Sequence, residues 1–356
     1  MKKTVLLKVN PEKPDINKVR VAAEFIRAGG VVAFPTETVY GLGADALNAR
    51  AVLALFEAKK RPLDNPPIVH VSSVNHVQRL TKSIPTTAKK LMRTFWPGPL
   101  TLILKRSDNV PSVTVAGLDT IAVRMPRHNV ALALIMESRC PISAPSANLA
   151  GRPSPTTGKH VLEDLDGRID ALLDAGATVV GVESTVLDVT VDPPEVLRPG
   201  GTPVEALKEI VGGVKLNPAV TAEKPVFLRR ARSPGLKYRH YAPDADVLIV
   251  EGELPAVIYK INDMVMYYKG IGNKVGVLGT DETVDCYRAD VVKSLGSRSN
   301  LAHVAHNLFA HLRLLDLEGV DVIIAESVPL EGLGLAVMNR LHKASGYNII
   351  KPDATS

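Results

Sequence analysis

Apolar and polar positions alternate in two rhythms along this chain. From Ile16 to about Leu207, apolar runs of strand length are interleaved with stretches of helical spacing. "PPIVHVSS", "LTLILKR", "TIAVRMP", "CPISAPS", "DALLDAG" and "STVLDVT" predict strands, whereas "TTAKKLMRTF" and "VALALIMESR" predict helices. "NARAVLALFEAKKR" puts Val52, Leu55 and Phe56 at helical spacing, with its cations at the C-terminal end, where they suit the helix dipole. These elements predict an α/β domain on a mixed sheet over residues 1–210. The rhythm lapses over 211–244, where "NPAVTAEKPVFLRRARSPGLKYRHYAPDAD" carries several prolines and Arg229, Arg230, Arg232, Lys237 and Arg239. That composition predicts a basic linker. From Ala245 strand–helix–strand alternation resumes through "DVLIVEG", "LPAVIYKINDMVMYYKG", "KVGVLGT", "NLAHVAHNLFAHLRLLDLEG" and "VDVIIAES", predicting a smaller Rossmann-like α/β domain over 245–356.

One strand signal changes character within a few residues. "GGVVAFPTETVYGLGADA" begins as a buried strand at Val31–Phe34 and runs into Pro35, Thr36, Glu37, Thr38, Tyr40, Gly41 and Gly43. Hydroxyls and backbone N–H groups at a strand's carboxyl end are where open α/β sheets bind ligands. The glycines predict close backbone approach or positive φ. The stretch lacks the spaced glycines and trailing Lys-Ser/Thr of a phosphate-binding P-loop, and a decorated tight turn is the plain alternative.

Three further clusters carry chemistry. In "KKRPLDNPP", Lys59, Lys60 and Arg61 close a helix and Asn65 follows among prolines. A helix C-terminus repels anions, so a polyphosphate here depends on the side chains. In "SAPSANLAGRPSPT", Ser143, Ser146, Asn148 and Ser154 sit on a proline-stiffened backbone suited to a small polar ligand. "GVESTVLDVT" sets Glu183, Ser184 and Thr185 before a strand, "VLRPGG" ends one with Arg198, and "IAVRMP" holds Arg124 inside one. A buried arginine needs an anionic partner. His303 and His306 lie three apart on a helix whose apolar face is Val304, Leu308, Leu312 and Leu315, which favours plain helix surface over a metal pair.

Composition narrows the class. The 356 residues are 46% apolar and 22% charged, enough for two cored domains. A net charge of +6 points to anionic partners, phosphates or nucleic acid. Two cysteines, Cys140 and Cys286, cannot form a disulfide framework or a four-thiolate metal site. Lys8, Asn10 and Pro11 cut short the only apolar stretch near the start, so neither a signal peptide nor a membrane span is expected, and the expected setting is cytoplasmic.

In order along the chain, "PTETVYGLGADA", "KKRP…NPPIVHV", "WPGPLTLIL", "VRMP", "APSANLAGRPSPT", "ESTVLD" and "LRPG" resemble the Sua5/YrdC family of L-threonylcarbamoyladenylate synthases. "SPGLKYRHYAP" and "GLGLAVMNRLHKAS" resemble the linker and the end of the second domain in its two-domain branch. The resemblance implies a YrdC-like twisted sheet with a cationic concavity. It implies synthesis of threonylcarbamoyl-AMP from L-threonine, bicarbonate or CO2 and ATP, with pyrophosphate released and Mg2+ arriving with the ATP. The product would pass to a separate tRNA threonylcarbamoyltransferase complex acting on adenosine 37. Carried over motif by motif, the catalytic set is Lys59, Arg61, Ser146 and Asn148. Threonine would be held by Thr38, His70, Arg124, Ser184 and the Ala144 backbone. The nucleotide would be held by Arg61, Asn65, Thr120, Ser146, Ser154 and Arg198, with His240 and Tyr241 closing over it.

Two other classes compete. A basic concave domain could hold structured or double-stranded RNA, such as tRNA, without chemistry; with only 4% aromatic residues, single-strand stacking is poorly served. A cleft that takes ATP would also attract RNA weakly, so pyrophosphate release that requires threonine separates the two. Hydrogenase-maturation carbamoyltransferases embed a YrdC-like domain but carry cysteine-rich zinc modules, which two cysteines cannot build.

Overall fold

The computed structural model describes residues 3–224 and 240–352, so the five basic residues singled out in the linker lie outside the described residues. The chain divides into two compact units. The first takes in residues 3–150 and 154–220; the second takes in Gly151–Pro153, 221–224 and 240–352.

The first unit carries β1 (Val5–Lys8), β2 (Val32–Phe34), β3 (Gly41–Asp45), β4 (Val69–His70), β5 (Leu100–Lys105), β6 (Thr120–Arg124), β7 (Ile142–Ser143), β8 (Ala171–Asp174), β9 (Thr185–Asp188), β10 (Glu195–Arg198) and β11 (Lys215–Leu216). They form one sheet in the order β1-β8-β2-β3-β7-β4-β6-β5-β9-β10-β11. Pairing is mixed: β8 runs parallel to β1 and β2, β3 is antiparallel to β2 and β7, and β6 is parallel to β4 but antiparallel to β5. Pairing of β11 with β10 carries the sheet past residue 211, into the stretch that reads as linker.

Alternation along β2 feeds two cores. Val32 and Phe34 join Val19, Ala22, Ala23 and Ile26 of the helix Ile16–Arg27 on one face. Val31 and Ala33 join Val52, Leu55 and Phe56 of the helix Ala49–Lys59 on the other. That second helix starts where the Asn48 side chain accepts from the N–H groups of Arg50 and Ala51, and stops at Lys60, which is left-handed at φ 52°.

The second unit is a five-stranded parallel sheet of β12 (Asp246–Val250), β13 (Val275–Gly279), β14 (Val291–Ser294), β15 (Val322–Glu326) and β16 (Ile349–Ile350), in the order β14-β13-β15-β12-β16. Helices Leu254–Gly270, Leu301–Leu317 and Gly334–Ala344 make the crossovers that parallel strands require. Val304, Leu308, Leu312 and Leu315 are buried as their spacing predicts. Among the described residues no helix is long and apolar enough to cross a membrane.

Candidate functional site

The segment from Thr36 to Leu42 is the hub of the first unit's polar site. Glu37 and Thr38 carbonyls accept from the N–H groups of Val180 and Gly181, at 2.8 and 3.1 Å. The Tyr40 carbonyl accepts from Ala147 N, and the Leu42 N–H donates to Pro145, both at 2.8 Å. Three of the clusters read from the sequence thus meet at one strand end. Gly41 and Gly43 lie in a strand and have no room for a side chain. They continue as β3, and a Cβ at Gly43 would meet Ile142 Cγ2 at 2.7 Å and Phe34 Cε1 at 2.8 Å. The glycines make room for the Phe34 ring, which overrides their low strand propensity.

Arg124 ends β6 and is buried. Its Nη1 donates to Thr38 Oγ1 at 3.0 Å and its Nε to the Gly98 carbonyl at 3.2 Å. Nη2 lies 2.7 Å from Glu37 Oε2, but off the hydrogen-bond direction. Nη2 and both Glu37 carboxylate oxygens are therefore buried with no directed hydrogen bond, as is the Ser143 hydroxyl one strand beyond His70. A buried ion pair is stable only when its remaining hydrogen-bonding capacity is filled. Unfilled capacity of both signs beside the unpartnered Ser143 hydroxyl is chemistry that suits a small zwitterion.

His70 stands in register with Arg124 on the neighbouring strand. Its Nδ1 is 3.3 Å from the Ile68 carbonyl, which assigns the proton to Nδ1 and leaves Nε2 an acceptor. Burial, reinforced by the Arg124 charge, pushes its pKa down to about 3. His70 is therefore a neutral acceptor and not a proton store. Ala144, whose N–H donates to the Ile68 carbonyl at 2.8 Å, completes this group.

Lys59 has a task that its place in a helix's last turn hides. It is 1% exposed, and its ammonium donates to the carbonyls of Ser146, at 2.5 Å, and Asn148. Ser146 Oγ donates to Asn148 Oδ1 at 2.5 Å. Lys59, Ser146 and Asn148 therefore form one unit, in which the lysine fixes the loop that presents the other two. Arg61 Nε donates to the Asn65 carbonyl at 3.1 Å, and Asn65 Oδ1 is buried without a hydrogen-bond partner.

Arg198 Nη2 and Nε donate to the Ser184 carbonyl at 2.9 and 3.2 Å, and Ser184 Oγ lies 2.8 Å from Thr101 Oγ1. Ser154 Oγ donates to Glu183 Oε1 at 2.6 Å. Thr120 is buried at the far end of β6 from Arg124, about 13 Å away at strand rise. Tyr241 belongs to the second unit, buried 5.2 Å from the Phe309 ring with the Arg340 guanidinium over its face, and the His240 ring lies 5.6 Å from it. Glu37 and Glu183 were not among the expected site residues. The signal for Glu37 was available: it is a lone carboxylate in a run of hydroxyls entering a core, where an unpaired charge is not tolerated.

Comparison with known proteins supplies the context. Residues 24–200 match the Sua5/YciO/YrdC family, described as "Telomere recombination", and residues 202–346 match the "Threonylcarbamoyl-AMP synthase, C-terminal domain". The threonylcarbamoyl-AMP synthase of Pyrococcus abyssi is 52% identical over 98% of this chain and 99% of its own. That of Bacillus subtilis is 49% identical over 94% of each chain. The crystal structure of P. abyssi Sua5 complexed with L-threonine superposes with a TM-score of 0.92 at 51% identity, over 98% of this chain and 99% of that one. With both domains matched in order, and relatives about half identical from end to end, the chain belongs to the two-domain Sua5 branch of the threonylcarbamoyl-AMP synthase family.

Proposed function

We propose that this chain joins L-threonine, bicarbonate or CO2 and ATP into threonylcarbamoyl-AMP, releasing pyrophosphate, for modification of tRNA adenosine 37. The observation that carries the reading is the buried Arg124–Glu37–Thr38 cluster with its unfilled hydrogen-bonding groups. It lies in a chain half identical, over its full length, to a threonylcarbamoyl-AMP synthase.

In this reading the threonine carboxylate takes Arg124 Nη2 and the Thr38 hydroxyl, while Ser184, the Ala144 backbone and neutral His70 Nε2 address its other polar atoms. The amine nitrogen adds to carbon dioxide and loses a proton, giving a carbamate. A carbamate oxygen then attacks the α-phosphorus, the bond from that phosphorus to the bridging oxygen breaks, and pyrophosphate leaves with the electron pair. No covalent enzyme intermediate is required, so the protein contributes positioning and charge neutralisation. Arg61 and Arg198 would meet the phosphates, with Asn65, Thr120, Ser146 and Ser154 along the nucleotide. Lys59 would act through the loop that it fixes. Mg2+ enters with the triphosphate, which supplies its oxygen ligands. The product would pass briefly to a tRNA threonylcarbamoyltransferase complex in the cytoplasm.

The test is pyrophosphate release from ATP and bicarbonate with and without L-threonine, in the natural protein and in Arg61→Ala. Release that depends on threonine and is lost in the variant supports the reading. Release indifferent to threonine, or none, removes it and makes RNA binding without chemistry the leading account.

A further inference from the structure

The first unit holds a cleft of about 390 Å³ that the proposed chemistry does not use. Val74, Ile84, Met92, Trp96 and Met125 give it an apolar lining, and Lys89 and Arg93 stand on it from the helix Thr86–Phe95. That helix, "TTAKKLMRTF", carries Lys89, Lys90 and Arg93 and no carboxylate. Among the described residues none of these three cations has a carboxylate partner. All three are exposed, whereas Met92 beside them is buried. The Trp96 indole N–H donates to the Leu100 carbonyl at 2.7 Å, so the ring offers the cleft carbon surface and no polar atom. The volume lies within the range of small-molecule sites, and the lining combines an aromatic and sulfur-rich floor with unspent positive charge.

The cleft also has a short mechanical link to the threonine cluster. Met125 follows Arg124 in the chain, and its carbonyl accepts from the Gly98 N–H at 2.8 Å. The Gly98 carbonyl in turn accepts from Arg124 Nε at 3.2 Å. Successive residues of an extended chain point to opposite sides, so Met125 faces away from the Arg124 cluster. A ligand against Trp96 and Met125 therefore touches the residues that flank the Gly98–Arg124 bond without entering the catalytic face.

We propose that this cleft is a second ligand site for an amphipathic anion, an aromatic or apolar body bearing a phosphate or carboxylate, and that its occupancy alters threonine binding through Gly98 and Arg124. The body would sit on Met92, Trp96 and Met125, and the anionic group would meet Lys89 and Arg93.

Trp96 is the chain's single tryptophan, so all tryptophan emission originates at this cleft, and the double variant below separates binding here from binding elsewhere. The full chain is titrated without substrates using phenyl phosphate, 3-phenylpropionate and the uncharged 3-phenylpropanol. The two anions should shift the Trp96 emission saturably, and more tightly than the alcohol. The tighter of the two identifies the anionic group. Lys89→Glu with Arg93→Glu, two exposed positions outside the catalytic machinery, should weaken both anions by about tenfold or more and leave activity without probe unchanged. Emission unmoved by either anion, or equal affinity in the double variant, overturns the site. With probe bound, the KM for L-threonine should change while that for ATP does not; an unchanged threonine KM overturns the coupling. Only the two activity readouts rest on the proposed chemistry, so failure of that chemistry leaves the fluorescence result standing.

Discussion

Each unit of this protein places a buried carboxylate where a strand of its α/β sheet meets polar loops, and the two carboxylates are treated in opposite ways. In the second unit Glu326 ends β15 with no exposed surface. Its Oε1 accepts from Thr280 Oγ1 at 2.5 Å and Arg298 Nη1 at 3.1 Å, and its Oε2 from Thr283 Oγ1 at 2.6 Å and the Tyr287 hydroxyl at 2.5 Å. In the first unit Glu37 touches Arg124 but has no directed hydrogen bond on either oxygen. A closed network holds a fold together, because every donor and acceptor taken from water is repaid. An open one keeps its capacity for something that arrives later. Position at a sheet's carboxyl edge does not by itself distinguish a ligand site from a structural clasp; the state of the hydrogen bonds does.

The largest test of that contrast is Arg124→Met. The proposed function predicts that pyrophosphate release falls by about 10³-fold, the scale of a lost electrostatic contact to the reacting group. Glu37 would also be left as an uncompensated buried charge, lowering stability by about 3–5 kcal/mol in chemical denaturation. Adding Glu37→Gln should restore the stability but not the activity. Recovery of activity in the double variant would show that Arg124 serves Glu37 and not a substrate.

Glu326→Ala should cost a similar about 3–5 kcal/mol, since Arg298 and three hydroxyls lose their acceptor. Here the folded variant should keep its turnover. A loss of turnover matching that of Arg124→Met would break the comparison and give the second unit's network a part in the chemistry.

How much of this contrast the sequence displayed depends on how local its causes are. Thr38 stands in a run of hydroxyls that marks a polar strand end, and a strand-borne arginine demanded an anion, whereas His70 was named only through the family resemblance. That the anion is Glu37 follows from β6 ending beside the 36–38 segment, a tertiary fact. Lys59 sits in a helix's last turn, where dipole complementation explains a lysine well enough, and only the returning loop at Ser146–Asn148 buries it. The Glu326 clasp gathers Thr280, Thr283, Tyr287 and Arg298 from separate turns with no shared motif, and nothing in the pattern foretold it. β3 was hidden because two glycines read as a loop.

Those glycines give a smaller test. A Cβ at Gly43 would meet Phe34 at 2.8 Å, and one at Gly279 would meet the Tyr287 ring at 2.8 Å. In both units a glycine admits an aromatic ring next to the polar cluster. Gly43→Ala and Gly279→Ala should each lower stability by about 1–3 kcal/mol through overpacking. The folded Gly43→Ala protein should retain its KM for L-threonine. A selective rise in that KM would restore a ligand-access role to Gly43.

The last test isolates the open cluster by pH. His70 has its usual pKa near 6.5 when unfolded and one of about 3 when folded, because burial and Arg124 disfavour the imidazolium. Between those values the unfolded chain binds a proton that the folded chain does not, so stability falls as pH drops from 6.5 towards 3. Above 6.5 both states are neutral at this residue, and it contributes no slope. One proton corresponds to about 1.4 kcal/mol per pH unit. His76, His128 and His311 are also held below their usual range, chiefly by burial, so the total slope is steeper than one residue explains. The informative quantity is the difference between the natural protein and His70→Asn, in which the other three cancel. Denaturant midpoints measured down the acid range should converge for the two proteins as pH falls. Parallel curves would mean that His70 takes up its proton in the folded state, and neutral Nε2 could then no longer be the acceptor on which the threonine reading relies.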